Sequence, residues 1–329
     1  MLLSIIFSFR NEEQNLKPLI DRTEAAVSAL SAIGFDYEMI FVNDDSTDRS
    51  LLLLKEERRR NPRIKVITTS RPFGVSECVL AGMQACRGDL IVYLDADLQD
   101  PPELIPTLVE TWKNSPGAEI VYTTRRSRAG ETKRKLWITR FGYWLLGAMS
   151  TIPIVPNSGD FKLLTRRALN ELLTLKERKP FLRGMISWIG FKQVQVFYDR
   201  EARFGGDTHF PVLSRKVIGN FLDSALISFS DIPLKFLLMM GSLVVTGSFL
   251  FVIWVFVQKM IGWAIPGWSA IMATVLFLGG CQILMLGIVG LYVHAIFLEC
   301  KGRPHYIVKD AIGFEFESSL RTRPPELTN

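Results

Sequence analysis

Leu90-Ile91-Val92-Tyr93-Leu94-Asp95-Ala96-Asp97-Leu98-Gln99-Asp100-Pro101-Pro102-Glu103 decides how the rest of the chain is read. Five apolar residues suited to a buried strand run into clustered carboxylates, and a proline pair then keeps the strand from continuing. A buried strand stopping at a polar loop is the unit of an open α/β sheet, which gathers its ligands at the carboxyl ends of its strands. The Asp-x-Asp pair offers two hard oxygen donors close together. That suits a divalent cation which takes its other ligands from water and phosphate.

The flanking sequence repeats the pattern. Residues 2–9 form an apolar strand ending at Arg10-Asn11-Glu12-Glu13, and Leu16, Leu19, Ile20, Val27 and Leu30 then recur at helical spacing. Residues 37–42 predict a second strand, stopped by Asn43-Asp44-Asp45-Ser46-Thr47-Asp48, with a helix over 51–60 that Ser46 or Thr47 can cap. A third strand over 64–68 and a helix over 74–85 precede the opening stretch, and a helix over 103–112 and a strand over 120–124 follow it. Strands alternating with helices imply a doubly wound, mostly parallel sheet. Its acidic loops at 10–13, 44–48 and 95–100 then share one crevice, where the carboxylates repel unless a cation or hydrogen-bond donors compensate them.

Downstream, residues 125–135 form a basic, glycine-containing loop suited to phosphate or anionic lipid. Residues 136–149 carry Trp137, Phe141 and Trp144 beside Arg134, Lys135 and Arg140, the pattern of an interfacial or a core-facing amphipathic helix. Asn157-Ser158-Gly159-Asp160 reads as a turn before 161–164 and a helix from Arg166. A strand over 191–198, a loop over 200–209 with Arg200 and Arg203, and a helical pattern over 212–229 complete this part.

The remainder differs in composition. Of the 329 residues 48% are hydrophobic and mean hydropathy is +0.20, but the apolar content is concentrated. No charged residue occurs over 236–258, and after Lys259 none occurs until Glu299. Each stretch holds the roughly 20 apolar residues that a bilayer crossing requires. Two membrane spans are expected, about 233–258 and 268–298, with Trp263 and Trp268 at an interface between them. Lys301 and Arg303 after the second span place both termini in the cytoplasm under the positive-inside rule. The expected division is a catalytic domain over 1–213, an amphipathic juxtamembrane helix over 214–232, two spans within 233–299 and a polar cytoplasmic tail over 300–329, poorly ordered from Phe314. The start of the chain runs directly into Arg10 and Glu12, unlike a signal peptide.

The net charge of +6 suits anionic headgroups and phosphorylated substrates, and no basic stripe with interleaved aromatics points to nucleic acid. Four scattered cysteines and three dispersed histidines support neither a zinc site nor a disulfide framework. Gly241, Gly247, Gly279, Gly280, Gly287 and Gly290 permit close helix packing and are compatible with a homo-oligomer.

With these motifs in view, the sequence resembles the family 2 glycosyltransferases, and among them the polyprenyl-phosphate glycosyltransferases: relatives of dolichol-phosphate mannose synthase and bacterial undecaprenyl-phosphate glucosyltransferases. The resemblance runs from Ser4 to about Val308. It rests on Ser8-Phe9-Arg10-Asn11-Glu12, Asp44-Asp45-Ser46-Thr47-Asp48, Asp95 to Gln99, Phe73-Gly74 with Gly82, Arg125 with Arg128 and Gly130-Glu131, Ser158-Gly159-Asp160-Phe161, Arg200 with Arg203, Gly205 and Thr208, and Glu299 to Tyr306. Ser8 and Arg10 stand where the family usually has a proline and a tyrosine, and Arg10 can reach a phosphate.

The resemblance implies a Rossmann-like GT-A domain followed by two transmembrane helices, in an integral protein of the inner or plasma membrane. It implies an inverting transfer of a sugar, glucose from UDP-glucose being favoured over a GDP-linked donor, to undecaprenyl phosphate with Mg²⁺ or Mn²⁺. Asp97 and Gln99 would face the metal. Ser8, Arg10, Glu12, Asp44, Asp45 and Asp95 would line the nucleotide sugar, and Arg125, Arg128, Arg200, Arg203 and Thr208 the acceptor phosphate. Asp160 occupies the place of the family's catalytic acid. It is expected to orient the acceptor or a sugar hydroxyl, because a phosphate monoester is already largely anionic at pH 7. Two other readings share this fold: a processive polysaccharide synthase, whose Gln-x-x-Arg-Trp motif and extra spans are missing here, and a non-catalytic lipid-binding membrane protein.

Overall fold

The computed structural model describes residues 1–31, 33–125, 158–178, 180–199, 232–261 and 267–314. These fall into two compact units: one comprising the described residues up to 199 and from 303 onward, the other the long helices over 232–302.

The first unit is built on one eight-stranded sheet. Its elements in chain order are β1 (Leu2–Phe9), α1 (Glu13–Ser31), β2 (Asp36–Asn43), α2 (Ser50–Arg60), β3 (Ile64–Thr69), α3 (Val75–Ala85), β4 (Leu90–Asp95), a short 3₁₀ turn (Pro102–Leu104), α4 (Ile105–Lys113), β5 (Ile120–Arg125), β6 (Ser158–Thr165), α5 (Arg166–Thr174), α6 (Leu182–Trp188), β7 (Gln193–Tyr198) and β8 (Val308–Ile312). The strand order is β7-β5-β6-β4-β1-β2-β3-β8. β1 pairs in parallel with β2 and β4, β2 with β3, and β5 with β7. β6 is antiparallel to both β4 and β5, and β8 to β3. The expected α/β sheet is therefore mixed, with two reversed strands in an otherwise parallel array.

β1 is buried along nearly its whole length, as a central strand covered on both faces must be. On one face Leu3, Ile5 and Phe7 join Met39, Phe41, Val92 and Leu94 under Leu16, Leu19 and Ile20 of α1 and Ile105 and Leu108 of α4. Phe7 and Phe41 stack there with ring centroids 4.7 Å apart. On the other face α3 lies so close that a Cβ on Gly82 would stand 2.4 Å from Ile6 Cγ2.

Two expectations are corrected in this unit. Ser158-Gly159-Asp160 is not a turn but the first part of β6. Gly159 is needed there for close approach, since a Cβ would sit 3.0 Å from Thr123 Oγ1 and 3.4 Å from the Tyr198 hydroxyl. Ser46 and Thr47 do not cap α2. Asp48 Oδ1 accepts from the Ser50 amide at 3.1 Å, while Ser46 and Thr47 turn toward Asn11. The structure also places a strand, β8, in the segment after the second long helix, where the sequence reading assigns only a tail.

The second unit holds α7 (Ile232–Met260) and α8 (Trp268–Cys300), helices over the two uncharged stretches. Among the described residues Phe277–Cys300 is long and apolar enough to cross a membrane, with a mean hydropathy of 2.1, whereas the apolar stretch Met239–Phe251 is shorter. Of the six glycines expected at close helix contacts, Gly241 alone would bring an added Cβ within 4 Å of a described side chain, Met285 Sδ at 3.9 Å. The expectations for residues 126–157, 200–231, 262–266 and 315–329 lie outside the described residues.

Candidate active site

The carboxyl ends of β1, β2 and β4 form the acidic half of the site. Each of their loops holds one non-glycine residue in the left-handed region: Asn11 at φ 56°, Asp45 at φ 50° and Leu98 at φ 58°. Such conformations are held only where surrounding contacts over-determine them. The contacts are present. Asn11 Oδ1 accepts from the Thr47 amide at 2.8 Å, and the Asn11 amide donates to Ser46 Oγ at 3.0 Å. The Glu12 amide donates to Ser50 Oγ at 3.2 Å, and the Glu13 amide to Asp48 Oδ2 at 3.2 Å. The first two loops are thus stitched together side by side.

Asp44 braces a third segment. Its carboxylate accepts from the Phe73 amide at 2.7 Å and the Gly74 amide at 3.1 Å, fixing the entry to α3. Asp45 instead stays a third exposed and faces Lys309 of β8, Nζ to Oδ1 3.5 Å. Buried Glu12 accepts from the Asn15 amide side chain, and Arg10 is exposed.

After β4 burial alternates: Ala96, Leu98 and Asp100 are buried, and Asp95, Asp97 and Gln99 stay partly accessible. Asp97 Oδ1 accepts from the Gln99 amide at 3.1 Å, which shapes the turn. Ser8 donates to Asp95 Oδ1 at 3.4 Å. Among the described residues no three His, Cys, Asp or Glu side chains close around one point. A cation held by Asp97 and the Gln99 carbonyl, with Asp95 beside it, would complete its shell with water and phosphate oxygens, a donor set that suits Mg²⁺ or Mn²⁺.

The neighbouring half of the same edge is basic. Arg125, at the end of β5, donates from Nε to the Tyr198 hydroxyl at 3.3 Å, and that hydroxyl donates to buried Asp100. Burial, then the Asp100 charge, pushes the Tyr198 phenol up to about 12. On β6, Asp160 receives both arms of Arg183 from α6, Nε to Oδ1 at 2.7 Å and Nη2 to Oδ2. Burial alone would raise the Asp160 carboxyl; the Arg183 fork, with Lys162 and Arg125 nearby, outweighs it and holds the group below the usual carboxylate range. Lys162 is 3% exposed, and burial draws its ammonium down to about 8. Its registered neighbour on β4 is Tyr93, whose buried hydroxyl has no hydrogen-bond partner among the described residues.

Of the expected site residues, Ser8, Arg10, Glu12, Asp44, Asp45, Asp95, Asp97 and Gln99 lie on the acidic loops at one sheet edge, and Asp160 and Arg125 on the adjoining basic side. Arg128, Arg200, Arg203 and Thr208 lie outside the described residues. Sequence reasoning missed Arg183, Lys162, Tyr198 and Lys309. Lys162 was legible as one charge inside the apolar run Phe161-Lys162-Leu163-Leu164, because lysine is almost never fully buried without a partner. Nothing local marked Arg183 or Lys309, which come from distant chain segments.

The chain belongs to glycosyl transferase family 2, whose profile matches residues 4–173. Its sheet domain is accordingly a GT-A, Rossmann-like α/β domain. An uncharacterized glycosyltransferase of Bacillus subtilis, YkcC, is 39% identical over 320 residues, covering 95% of this chain and 94% of the relative. A second uncharacterized glycosyltransferase, sll0501 of Synechocystis, is 38% identical over 95% of this chain and 96% of its own length. The prophage bactoprenol glucosyl transferase homolog of Escherichia coli is 31% identical, covering 94% of this chain and 99% of its own length. As a family 2 member the protein is a glycosyltransferase.

Proposed function

We propose that the protein transfers glucose from UDP-glucose, with inversion, to undecaprenyl phosphate at the cytoplasmic face of the membrane, yielding a lipid-linked sugar donor. The observation that carries this reading is the division of one sheet edge into an acidic half on β4, β1 and β2 and a basic half on β5, β6 and α6. A metal–nucleotide-sugar complex suits the first, and an anionic acceptor the second. A relative named for bactoprenol glucosyl transfer that aligns over nearly the whole chain supports the same assignment.

In this reading Asp97 and Gln99 hold Mg²⁺ or Mn²⁺, with Asp95 toward the nucleotide; when bound, the ion neutralises charge building on the leaving diphosphate. Ser8, Arg10, Glu12, Asp44 and Asp45 bound the donor corner, with Asp44 acting through the backbone it braces. The acceptor's phosphate oxygen attacks the anomeric carbon while the bond to the diphosphate breaks, and UDP leaves with the bonding electrons. No base is required, because the acceptor is already anionic. Arg125, Arg128, Arg200, Arg203 and Thr208 bound the acceptor side, beside Asp160.

The division into a catalytic domain over 1–213, a juxtamembrane helix over 214–232, two spans and a cytoplasmic tail belongs to this proposal, as does self-association in the membrane. α8 exposes Phe277, Ile283, Leu286 and Ile296, each above 60%, a surface better matched to lipid than to water.

Purified protein supplied with a panel of nucleotide sugars, Mg²⁺ or Mn²⁺, and undecaprenyl phosphate should form undecaprenyl-phosphate glucose, detected by mass spectrometry. Failure with every donor would sink the proposal. Asp97→Ala should abolish transfer and keep the fold, and near-normal turnover of that variant in excess Mg²⁺ would refute the metal assignment.

A further inference from the structure

Resting on the reading of Asp45 as part of the donor corner, we propose that Lys309 is a positioning residue of the donor site: the strand that follows the second long helix supplies a cation that holds the Asp45 carboxylate toward the donor's nucleoside. The reason begins with two neighbouring carboxylates. Asp44 is buried and committed to the protein itself. Its Oδ1 accepts from the Phe73 amide and, at 3.3 Å, from Thr69 Oγ1, and its Oδ2 accepts from the Gly74 amide. Asp45, held at φ 50°, keeps a third of its side chain accessible. It is the one of the two that can accept from an O–H or N–H of a ligand. Lys309 Nζ stands 3.5 Å from its Oδ1.

Lys309 reaches that loop through a break in the ladder. Against β3, Ile312 lies opposite Val66, Ala311 opposite Ile67 and Asp310 opposite Thr68, but the next pair is Val308 with Thr69. Lys309 is therefore the extra residue of a β-bulge, a device that re-aims a side chain and recurs beside active sites. Its surroundings are tied down. The Ser70 amide donates to the Ile307 carbonyl at 2.9 Å, Thr69 Oγ1 to the Asn43 carbonyl at 3.3 Å, and the Tyr306 hydroxyl to Gln84 Oε1 at 2.6 Å. An ion pair whose lysine is 61% exposed adds little to folding, so stability does not account for a bulge that delivers it. Strand order says which part of the donor is served. Across the sheet the order is β4-β1-β2-β3-β8. Asp97 and Gln99, proposed for the metal and hence the diphosphate, follow β4; Asp45 follows β2, two strand spacings or roughly 10 Å away. Lys309 comes from the side beyond Asp45, at the nucleoside end.

The test uses the full-length protein in detergent. Transfer from UDP-glucose to undecaprenyl phosphate is measured for wild type, Lys309→Met, Lys309→Arg, Asp45→Asn and the Asp45→Asn/Lys309→Met double variant, with titration calorimetry of UDP, UMP and GDP in the presence of Mn²⁺. Lys309→Met should raise the UDP-glucose KM at least about threefold and leave the acceptor KM and Tm unchanged. The loss should shrink as salt rises from about 0.05 to 0.5 M. Lys309→Arg should recover most of it, and UMP and UDP should weaken by the same factor. The double variant should bind no worse than Asp45→Asn alone. A role confined to the sheet edge would lower Tm without this split in KM or its salt dependence.

If wild type transfers glucose and Lys309→Met keeps both its UDP-glucose KM and its UDP affinity, the inference is wrong and the proposed function stands. If wild type transfers to no prenyl phosphate but its UDP or GDP binding weakens in Lys309→Met, the function fails and the inference stands. Binding of neither nucleotide by wild type would overturn both. A greater loss for UDP than for UMP would move Lys309 to the diphosphate, and additive losses in the double variant would separate it from Asp45; either result overturns the inference.

Discussion

Lys162 sits two positions from Asp160 on β6, between Tyr93 of β4 and Tyr122 of β5 in register, and is buried. Burial draws it from 10.5 to about 8, against the opposing pull of Asp160, while Arg183 pushes the same way as burial. Holding an amine there costs about 3 kcal/mol of folding free energy at neutral pH, an order-of-magnitude figure. The sign follows from linkage. Between about pH 8 and 10.5 the unfolded chain binds the proton and the native chain does not, so this contribution to stability rises across that window and is lost as pH falls through 8. Lys162→Met removes it. The Tm difference between Lys162→Met and wild type should favour the variant at pH 7 and shrink toward pH 10; a difference that does not move with pH would refute the burial account. A protein that keeps such a cost gains a positive charge that acts on Asp160, on the side proposed for the acceptor.

At the scale of elements, the close contact of α3 on β1 depends on a missing side chain. Gly82→Ala would force a Cβ to 2.4 Å from Ile6 Cγ2 and 3.3 Å from Val42 Cγ2. Overpacking of this kind costs about 1–3 kcal/mol, measured as a lowered midpoint in denaturant unfolding. Because Asp44 ties the start of α3 to the loop after β2, the shift should also raise the donor KM. β8 offers a second comparison. It covers the edge of β3 and sets Lys309 beside Asp45. A chain ended after Ile307 exposes that edge and should melt several degrees lower. Lys309→Ala should leave Tm nearly unchanged, because a solvent-exposed ion pair contributes about 0–1 kcal/mol. Equal losses in the two proteins would show that the ion pair, rather than the strand, holds this edge.

Across the whole molecule, a soluble-type α/β unit is joined to two helices of 29 and 33 residues, the second with apolar side chains facing outward along much of its length. The proposed membrane anchorage predicts that the protein stays in the membrane fraction through a sodium carbonate wash and is released by detergent. Release by carbonate alone would show that the helices do not span.

The sequence by itself determined the strand ends, the acidic loops, the helical spacing of the α1 residues and the uncharged stretches. Each of these is written in short-range periodicity and in residues that end strands. Tertiary structure alone decided the rest. Ser158-Gly159-Asp160 has a turn composition, yet it forms the start of a strand because β5 pairs with it at Ser158 and the glycine lets Tyr198 and Thr123 approach. Val308–Ile312 is too short to announce itself and becomes a strand only against the open edge of β3. Arg183 meets Asp160 from 23 residues away, and Tyr198 meets Asp100 from 98. Pairings at that range leave no local pattern, since their energy comes from desolvated charges meeting in space and not from the spacing of neighbours along the chain.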